Sequence, residues 1–405
     1  MLQRSDRAGL AGAAALVVGA LSACHEVPGP AAVPTYRTPT ENSATENSAT
    51  AAPRPADATA SAPTSTQAIA SAPTSTQATA SAWGKRLDMV GQAMGTRVTV
   101  AAYVDAEHDE AVIRRAIQAA FDEVVRLEQL MTPWRADSEL SKVNAAAGKE
   151  PVTVGHEMLE VMEKSLWVSA HSDGVFDVTF ASMGKLWRFN HDMDGTVPPA
   201  AELASARQRI DYHRVKVDAQ KRTIFLERAD QRIDFGGIAK GYAVDRAAAV
   251  LSQAGLAAYY VQAGGDLYVK GKKPDGSPWR VGVRDPRGPD GSFFARLPVE
   301  NHAFSTAGDY ERSFFKDGRR YHHIIDPRTA YPATATRSVT VWAKDAFTAD
   351  AIDDAVFILG PAKGLALVES IDDCGAVIVD ASNKVWISKR LEGLVETFRA
   401  PTDGP

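Results

Sequence analysis

Residues 321–332 hold the densest group of side chains that could do chemistry in this sequence. They place the imidazoles of His322 and His323, the carboxylate of Asp326 and the guanidinium of Arg328 around a turn that contains prolines. Histidine accepts protons near neutral pH, aspartate binds metal ions or orients histidine, and arginine neutralises phosphate. The segment suggests a reactive site, although a polar strand end with local hydrogen bonds would have the same composition.

Two aspartates, Asp350 and Asp354, lie four residues apart in a segment, 348–360, that has the pattern of an N-capped helix. Gly360 and Pro361 are expected to close this helix. Carboxylates at this spacing share a helix face and repel each other unless a cation lies between them. Acids near a helix N-terminus also occur because the dipole favours them, which explains Asp350 better than Asp354. The pair is therefore a candidate metal site.

A glycine-rich turn at 234–241 leads into a predicted helix, whose N-terminus could receive a phosphate or expose carbonyl oxygens to a metal. The turn lacks the Gly-Lys-Ser/Thr order of a Walker loop and does not match the dinucleotide fingerprint. A second glycine pair, Gly264 and Gly265, follows a strand-like run and precedes Asp266. Taken alone, both segments are also compatible with ordinary tight turns.

The composition indicates a large globular protein. Its 405 residues are enough for one large domain or two ordinary ones, and 45% hydrophobic content supports a sizeable core. A net charge of −5 gives no reason to expect nucleic acid as a partner.

The N-terminus has the pattern of an export signal. Two arginines precede an uncharged run from Ala8 to Ala23, which is shorter than the ~20 apolar residues that span a bilayer. The sequence that ends at Cys24 resembles a bacterial lipobox, which implies removal of residues 1–23 and attachment of lipid to Cys24. The alternatives are an ordinary cleaved signal with an incidental cysteine, or an uncleaved anchor. His25 favours the outer membrane if the host has two membranes.

Residues 24–82 are predicted to form a disordered tether. They consist mainly of Ala, Pro, Ser and Thr, repeat two short segments and hold hardly any large apolar side chains, so they cannot bury a core. As a flexible coil they would span roughly 40 Å. In the remaining domain, 83–405, Cys374 is the one cysteine, and we expect it in the core. It leaves no intramolecular disulfide, zinc cluster or C-x-x-C pair to argue for.

The hydrophobic pattern of residues 83–405 mixes helices and strands. Apolar residues recur at helical spacing in 113–131, 159–170 and 238–254. Strand-like runs occupy 97–103, 259–263, 267–270 and 280–284, and a late hairpin pairs 376–380 with 384–388. Because helices and strands do not strictly alternate, the pattern favours an α+β fold over a doubly wound parallel sheet.

Taken together, these segments resemble the ApbE family of FAD:protein FMN transferases from about Gln92 to Gly360. The motifs that carry the resemblance are Met94–Thr96, Asp137–Ser141 with Asn144, Gly174–Thr179 with Leu186 and Trp187, Asp234–Asp245, Ala263–Asp266, Ser305–Arg312, His323–Pro332 and Ala349–Ala351. Their joint order and spacing make chance agreement improbable. The resemblance implies a single catalytic domain with a T-fold-related α+β architecture behind the tether.

The resemblance also implies an activity. The family splits the pyrophosphate of FAD, transfers FMN to a Ser or Thr hydroxyl of a target protein and releases AMP. Such phosphoryl transfer needs a divalent cation, a base near the attacking hydroxyl and walls that hold the substrate. Mg²⁺ would suit oxygen ligands. The implied partners are FAD, an exported flavin-accepting protein and, through lipid on Cys24, the membrane, with the domain on the periplasmic side of the cell envelope.

By similarity, each role falls on named residues. The metal ligands are Asp350, the backbone carbonyl of Gly237, and Asp354. His323 is the candidate general base, and Asp326 and Arg328 shape the turn around it. The residues expected to bind the cofactor are Met94, Asp177, Thr179, Lys240, Asp266 and Thr306.

The sequence departs from the family pattern at three places. Asp353 and Asp354 stand where the family has Ala and Thr, Ala307 replaces a serine, and Ala330 replaces a glycine. A second carboxylate should bind the cation more tightly but leave it a weaker Lewis acid, which predicts slower transfer. Two alternatives therefore stay open: a Mg²⁺-dependent FAD pyrophosphatase that gives FMN and AMP, and a lipoprotein that binds FAD without turning it over.

Overall fold

The computed structural model describes residues 16–17, 84–190 and 192–404. The predicted lipidation at Cys24, the tether at 24–82 and nearly all of the export signal lie outside these residues, so they stay predictions. Within the described ranges, no helix is both long and apolar enough to cross a membrane.

The strands and helices of the described residues follow the chain in a mixed order. The strands are β1 (Leu16–Val17), β2 (Arg86–Ala93), β3 (Thr96–Tyr103), β4 (Val152–Thr153), β5 (Val215–Asp218), β6 (Thr223–Leu226), β7 (Tyr259–Ala263), β8 (Asp266–Lys270), β9 (Trp279–Arg284), β10 (Phe293–Val299), β11 (His302–Gly308), β12 (Ser313–Lys316), β13 (Arg319–His322), β14 (Ile325–Asp326), β15 (Tyr331–Pro332), β16 (Thr336–Ala343), β17 (Gly375–Asp380), β18 (Val385–Ile387) and β19 (Glu396–Thr397). The helices are α1 (Glu110–Met131), α2 (Glu139–Ala145), α3 (His156–His171), α4 (Ala200–Arg207), α5 (Ala239–Gln253) and α6 (Ala346–Glu369), with 3₁₀ turns at Val178–Met183, Tyr212–Arg214 and Lys389–Leu391.

The main sheet has eight strands in the order β18-β17-β16-β11-β8-β7-β3-β2, and every pairing in it is antiparallel. A smaller sheet has the order β1-β9-β10-β19, in which β1 and β9 run parallel. Strands β4, β6 and β5 form a third sheet, and β12–β13 and β14–β15 are two-stranded. Because the main sheet is antiparallel and the helices do not alternate with its strands, the predicted α+β fold is confirmed.

The hydrophobic core lies on both faces of the main sheet. On one face, Ile113, Val244 and Ile352 of helices α1, α5 and α6 are buried in the same cluster as Val100 and Val339 of the sheet. Alternate residues of the same strands point the other way and pack in a second cluster, which includes Trp279 of β9, Phe294 of β10 and Phe304 of β11. The buried Cys374 belongs to the first cluster, as expected.

The helix predicted over 348–360 begins earlier and breaks where expected. Asp345 is its N-cap, and its carboxylate accepts a hydrogen bond from the Thr348 N–H at 2.7 Å. Gly360 leaves the helical conformation with φ 74° and ψ 179°, but helical turns resume at Pro361 and continue to Glu369. Gly360 therefore ends the first helical segment, as predicted, and Pro361 begins a second one directly after it.

Helices α5 and α6 cross at Gly241 with no room for a side chain. A Cβ at this position would lie 2.2 Å from the Ala346 carbonyl oxygen and 2.6 Å from the Asp350 Cβ. The close approach lets the Asp350 carboxylate accept the Gly241 N–H at 2.7 Å. The glycine thus sets how near the start of α5 comes to Asp350.

Gly241→Ala should force the two helices apart and lower the free energy of unfolding by about 1–3 kcal/mol, measured by urea unfolding. Gly276→Ala is the control, because position 276 has open space around it and only its positive φ of 78° opposes alanine. That control should cost about 1 kcal/mol, from the left-handed conformation alone. Equal stability of the two variants would contradict a sterically required crossing.

Candidate active site

A buried group of carboxylates lies where α6 faces the start of β8. Asp350 and Asp353 come from α6 and Asp266 begins β8, and one ligand oxygen from each lies within 4.8 Å of the others. All three residues are buried. Oxygen ligands of this kind suit Mg²⁺ or Ca²⁺, so the acidic triad (Asp266, Asp350 and Asp353) could hold a divalent cation.

Lys240, in the first turn of α5, bridges two members of the acidic triad. Its ammonium donates to Asp350 Oδ1 at 2.8 Å and lies 3.0 Å from Asp266 Oδ2. Burial opposes the charged ammonium, but Asp266, Asp350 and Asp353 outweigh that effect and hold the pKa of Lys240 well above its usual value. The lysine is therefore positively charged and neutralises part of the cluster.

Ser305 of β11 joins the other two carboxyl groups. Its Oγ lies 2.6 Å from Asp266 Oδ1 and 2.5 Å from Asp353 Oδ2. A hydroxyl carries one proton, so it can donate to only one of these oxygens. The second contact would need a proton on a carboxyl group.

The pKa shifts of these carboxyl groups have the same cause. Burial, followed by repulsion from Asp354, Asp350 and Asp266, raises the pKa of Asp353 well above its usual value. Burial and the Asp350 charge likewise raise the pKa of Asp266 to about 7, against the opposing effects of Lys240 and Ser305. Such groups ionise fully when a cation offsets their charge, which fits a metal site.

Asp354 lies beside Gly237, and the role of these two residues as metal ligands stays a prediction. A Cβ at position 237 would be 3.1 Å from Asp354 Oδ2 and 3.3 Å from the Phe176 ring, so a side chain here would crowd this carboxylate. Burial raises the pKa of Asp354 to about 6, and Asp350 adds to the shift. Asp354 is not a member of the acidic triad.

His323 differs from its neighbour His322 in having a free ring nitrogen. Nδ1 of His323 is buried and has no hydrogen-bond partner among the described residues, while its backbone N–H donates to the Arg312 carbonyl at 3.1 Å. Burial, Arg312 and Lys240 lower the pKa of His323 to about 3, so the ring is neutral. His322 instead bonds to the Ala333 carbonyl at 2.8 Å and packs on Phe357.

Asp326 and Arg328 hold the turn that follows His323. The Arg328 guanidinium donates to both Asp326 oxygens, at 2.9 Å from Nε and 2.7 Å from Nη2, and the Arg328 N–H donates to Asp326 as well. Ala330, which stands where the family has glycine, is held at φ 62°. This left-handed conformation strains alanine and favours glycine.

The predicted flavin contact Met94 lies in a strained turn. Met94 and Gly95 link β2 to β3 with φ values of 52° and 67°, a conformation that favours Asn or Gly over Met. A Cβ on Gly264 would lie 2.8 Å from Thr96 Oγ1, so the turn is close to the second glycine pair. The structure thus brings the segments of Met94 and Asp266 together.

Asp177 and Thr179 use their polar atoms within their own loop. Asp177 Oδ1 accepts from the Thr179 N–H at 2.8 Å and from its hydroxyl at 2.6 Å, and Oδ2 accepts from the Tyr212 N–H at 3.0 Å. Thr179 Oγ1 also accepts from the Asp211 N–H at 2.9 Å. Both side chains are buried, so they hold the loop, and their contact with a cofactor stays a prediction.

The hydroxyl groups of Ser305 and Thr306 point to opposite faces of β11 because successive strand residues alternate. Thr306 Oγ1 lies 3.2 Å from Thr340 Oγ1 on the neighbouring strand. The structure therefore brings Ser305, and not Thr306, to the acidic triad. The sequence did not identify Ser305 as a site residue, and it marked Asp353 only as a departure from the family pattern. The alternation of side chains along β11 separates Ser305 from Thr306 once the buried face of the strand is known.

Comparisons with known proteins identify the family and agree with the fold. A family model described as "ApbE family" matches residues 94–378. A curated FAD:protein FMN transferase of Klebsiella pneumoniae is 33% identical over 306 residues, which are 74% of this chain and 86% of that protein. The protein of that name from Escherichia coli K12 is 30% identical over 313 residues, 75% of this chain and 88% of its own length.

Solved structures share the architecture. The ApbE protein of Thermotoga maritima has a TM-score of 0.69 and 30% identity, and the match covers 76% of this chain and 99% of that one. Flavin transferase ApbE from Vibrio cholerae has a TM-score of 0.68 and 26% identity, with the same coverage. The fold and these relatives define an enzyme of the transferase class. The chain belongs to the ApbE family.

Asp353→Asn should stabilise the metal-free protein and weaken Mg²⁺ binding. The amide keeps the size of the side chain and an acceptor for Ser305 but removes one of the carboxylates that repel each other. The melting temperature in EDTA should rise by about 3 °C, and the Kd for Mg²⁺ from calorimetry should rise about tenfold. The exposed Asp372→Asn should change neither quantity. A lower melting temperature for Asp353→Asn would refute mutual repulsion.

Proposed function

We propose that this protein is an exported FAD:protein FMN transferase that uses Mg²⁺. It would cleave the pyrophosphate of FAD, attach FMN by a phosphoester bond to a Ser or Thr of an exported acceptor, and release AMP. The observation that carries the proposal is the buried acidic triad bridged by Lys240, within a chain of the ApbE family. A cation beside a cationic side chain is what the pyrophosphate of FAD requires.

The residues present fit the implied metal. Asp266 Oδ2 is buried and lies 3.0 Å from the Lys240 ammonium, so this oxygen already faces a positive charge. Asp350 and Asp353 supply further carboxylate oxygens, and Asp354, which lies close to Gly237, could supply another. When bound there, Mg²⁺ supplies positive charge that offsets the pyrophosphate and the developing charge of the leaving group.

The transfer step balances with His323 as the base. The acceptor oxygen attacks the phosphorus of the FMN half, the bridging P–O bond breaks, and AMP leaves with the bridging oxygen. The acceptor proton moves to Nδ1 of His323, which is neutral and has no partner among the described residues. Its low pKa reflects burial and nearby cations, and a bound anionic phosphate would raise it. The proton then passes to the phosphate of AMP or to solvent.

The proposed location rests on the sequence. Export through the signal at 1–23 and lipid on Cys24 would anchor the domain to the membrane by the tether at 24–82. The domain would then act on the periplasmic side of the cell envelope, at the outer membrane if there are two. An exported acceptor protein would be within its reach.

One observation favours a second candidate, a Mg²⁺-dependent FAD pyrophosphatase. Asp354 places a carboxylate where the family has a hydroxyl, next to Gly237 and close to the acidic triad. An additional negative charge beside the metal would slow attack by the acceptor hydroxyl. Water could then react in place of that hydroxyl. FMN and AMP would be the products.

The full-length protein incubated with FAD, Mg²⁺ and exported candidate acceptors should release AMP and make one acceptor heavier by the mass of FMN less water. Asp350→Ala should lower this Mg²⁺-dependent turnover at least about a hundredfold, because it removes a carboxylate that joins Lys240, Gly241 and the metal. AMP release is followed by chromatography and acceptor mass by mass spectrometry.

The control for Asp350→Ala is Asp122→Ala on the exposed side of α1, which should keep full activity. AMP with free FMN would favour the pyrophosphatase, and bound intact FAD would favour storage. Undiminished turnover by Asp350→Ala would refute the assignment of Asp350 as a metal ligand.

Asp354→Thr should restore the hydroxyl of the family pattern, weaken Mg²⁺ binding and raise the maximal rate of turnover. Loss of a carboxylate near the acidic triad should raise the Mg²⁺ concentration needed for half-maximal activity about tenfold. At saturating Mg²⁺ the rate should rise, because a metal with fewer anionic ligands is a stronger Lewis acid. Slower turnover at every Mg²⁺ concentration would show that Asp354 is required in this chain.

A further inference from the structure

The Lys240 ammonium is bound by the carboxylate oxygens that a divalent cation would need. It donates to Asp350 Oδ1 at 2.8 Å and lies 3.0 Å from Asp266 Oδ2, and both residues belong to the acidic triad. In the metal-free protein these two carboxylates therefore already have a cation between them. The lysine and a metal ion compete for the same oxygens.

We infer that Lys240 is a displaceable cation: its ammonium neutralises Asp266 and Asp350 until a divalent ion takes its place, and it then moves to the phosphate of the ligand. The first half of this inference concerns the metal-free chain alone. The second half, transfer to a phosphate, rests on the proposed function.

Charge balance supports the exchange. In this region the four carboxyl groups of Asp266, Asp350, Asp353 and Asp354 outnumber the single ammonium of Lys240. A divalent ion would offset the excess negative charge, but an ammonium kept at hydrogen-bonding distance would repel it strongly in a site of low dielectric. Binding is more favourable if the ammonium leaves its position between the two carboxylates.

The lysine can make this movement. Its side chain is 27% exposed, whereas those of Asp266 and Asp350 are at most 2% exposed. A lysine has a flexible four-carbon stem, while the aspartates are fixed by Ser305 and by the Gly241 N–H. The carboxylates therefore stay in place and the ammonium is the mobile partner.

The destination lies at the positive end of α5. Lys240 is the second residue of this helix, and the N-cap residue, Ile238, makes no side-chain hydrogen bond to the helix. The Gly241 N–H in this first turn already donates to Asp350, but the positive end of the helix favours a further anion, and a phosphate is the anion that the proposed function brings to this region. A released ammonium would add its charge at the same end of the helix.

Asp353 makes a neutralising cation such as the Lys240 ammonium more necessary in this chain than in its family. It stands where the family has alanine, and its buried carboxyl group lies within the acidic triad. Without Lys240, the carboxyl groups around it would face each other without a cation. The ammonium therefore lets the metal-free protein fold with a cluster that is suited to a metal.

The test is Mg²⁺ binding to the FAD-free protein, measured by calorimetry for Lys240→Met, Lys240→Arg and the unmodified chain. Lys240→Met removes the competing charge and should bind Mg²⁺ about tenfold more tightly. Lys240→Arg keeps the charge and should stay within a few-fold of the unmodified protein. Lys164→Met is the matched control, since Lys164 is also partly buried but contacts Thr348 and Trp167. It should leave Mg²⁺ affinity unchanged.

Unchanged or weaker Mg²⁺ binding by Lys240→Met would overturn the inference, because the ammonium would then not compete with the ion. Folding of the variant is followed by thermal unfolding over a range of Mg²⁺ concentrations. A variant that is unfolded in EDTA and folds with Mg²⁺ supports the exchange. A variant that stays unfolded at saturating Mg²⁺ overturns it, since the ion could not replace the ammonium.

The second half is tested with inorganic pyrophosphate at saturating Mg²⁺. Lys240→Met should bind pyrophosphate about tenfold more weakly, and Lys240→Arg should bind it nearly as well as the unmodified chain. Equal affinities of Lys240→Met and the unmodified protein would overturn transfer of the ammonium to phosphate. Neither binding measurement depends on turnover, so the inference can fail while AMP release and acceptor labelling succeed, and the reverse also holds.

Discussion

The contact of Asp350 with the start of α5 is the interaction on which the site depends. One carboxylate oxygen accepts the Gly241 N–H and the other accepts the Lys240 ammonium, so a single side chain joins two helices and two functional groups. The contact exists only because position 241 lacks a Cβ. Helix packing and the chemistry of the site are therefore the same interaction, and a change in the crossing would also displace the candidate metal ligand.

Much of the fold follows from periodicity, because burial on one face imposes a repeat on the sequence. The α1 helix buries Ile113, Ile117 and Val124 at helical spacing, as the pattern predicted. The sheet order does not follow in this way, since it depends on pairings between strands that are far apart in the chain. Strand β11, for example, pairs with β8 and β16 rather than with the hairpin that follows it.

The site was predictable where a motif names the residue and less so where the fold brings distant residues together. Ser305 contacts Asp266 across 39 positions and Asp353 across 48, and no local pattern encodes these contacts. The phase of a strand decides which residue faces the site, and a shift of one residue exchanges Ser305 for Thr306. A high density of polar residues in the sequence also does not distinguish a residue that contacts a ligand from one that stabilises a loop, such as Asp177.

The acidic triad suits the binding of a cation but lowers the stability of the folded chain. Buried like charges oppose folding, and the ammonium of Lys240 reduces that cost. Asp353 and Asp354 add negative charge near Asp350, which would favour a cation but weaken it as a Lewis acid. If the chain is a transferase of the proposed kind, the acids at positions 353 and 354 change how tightly the site holds its cation. They do not change the fold or the α5–α6 crossing, because these position the ligands independently of the two acids.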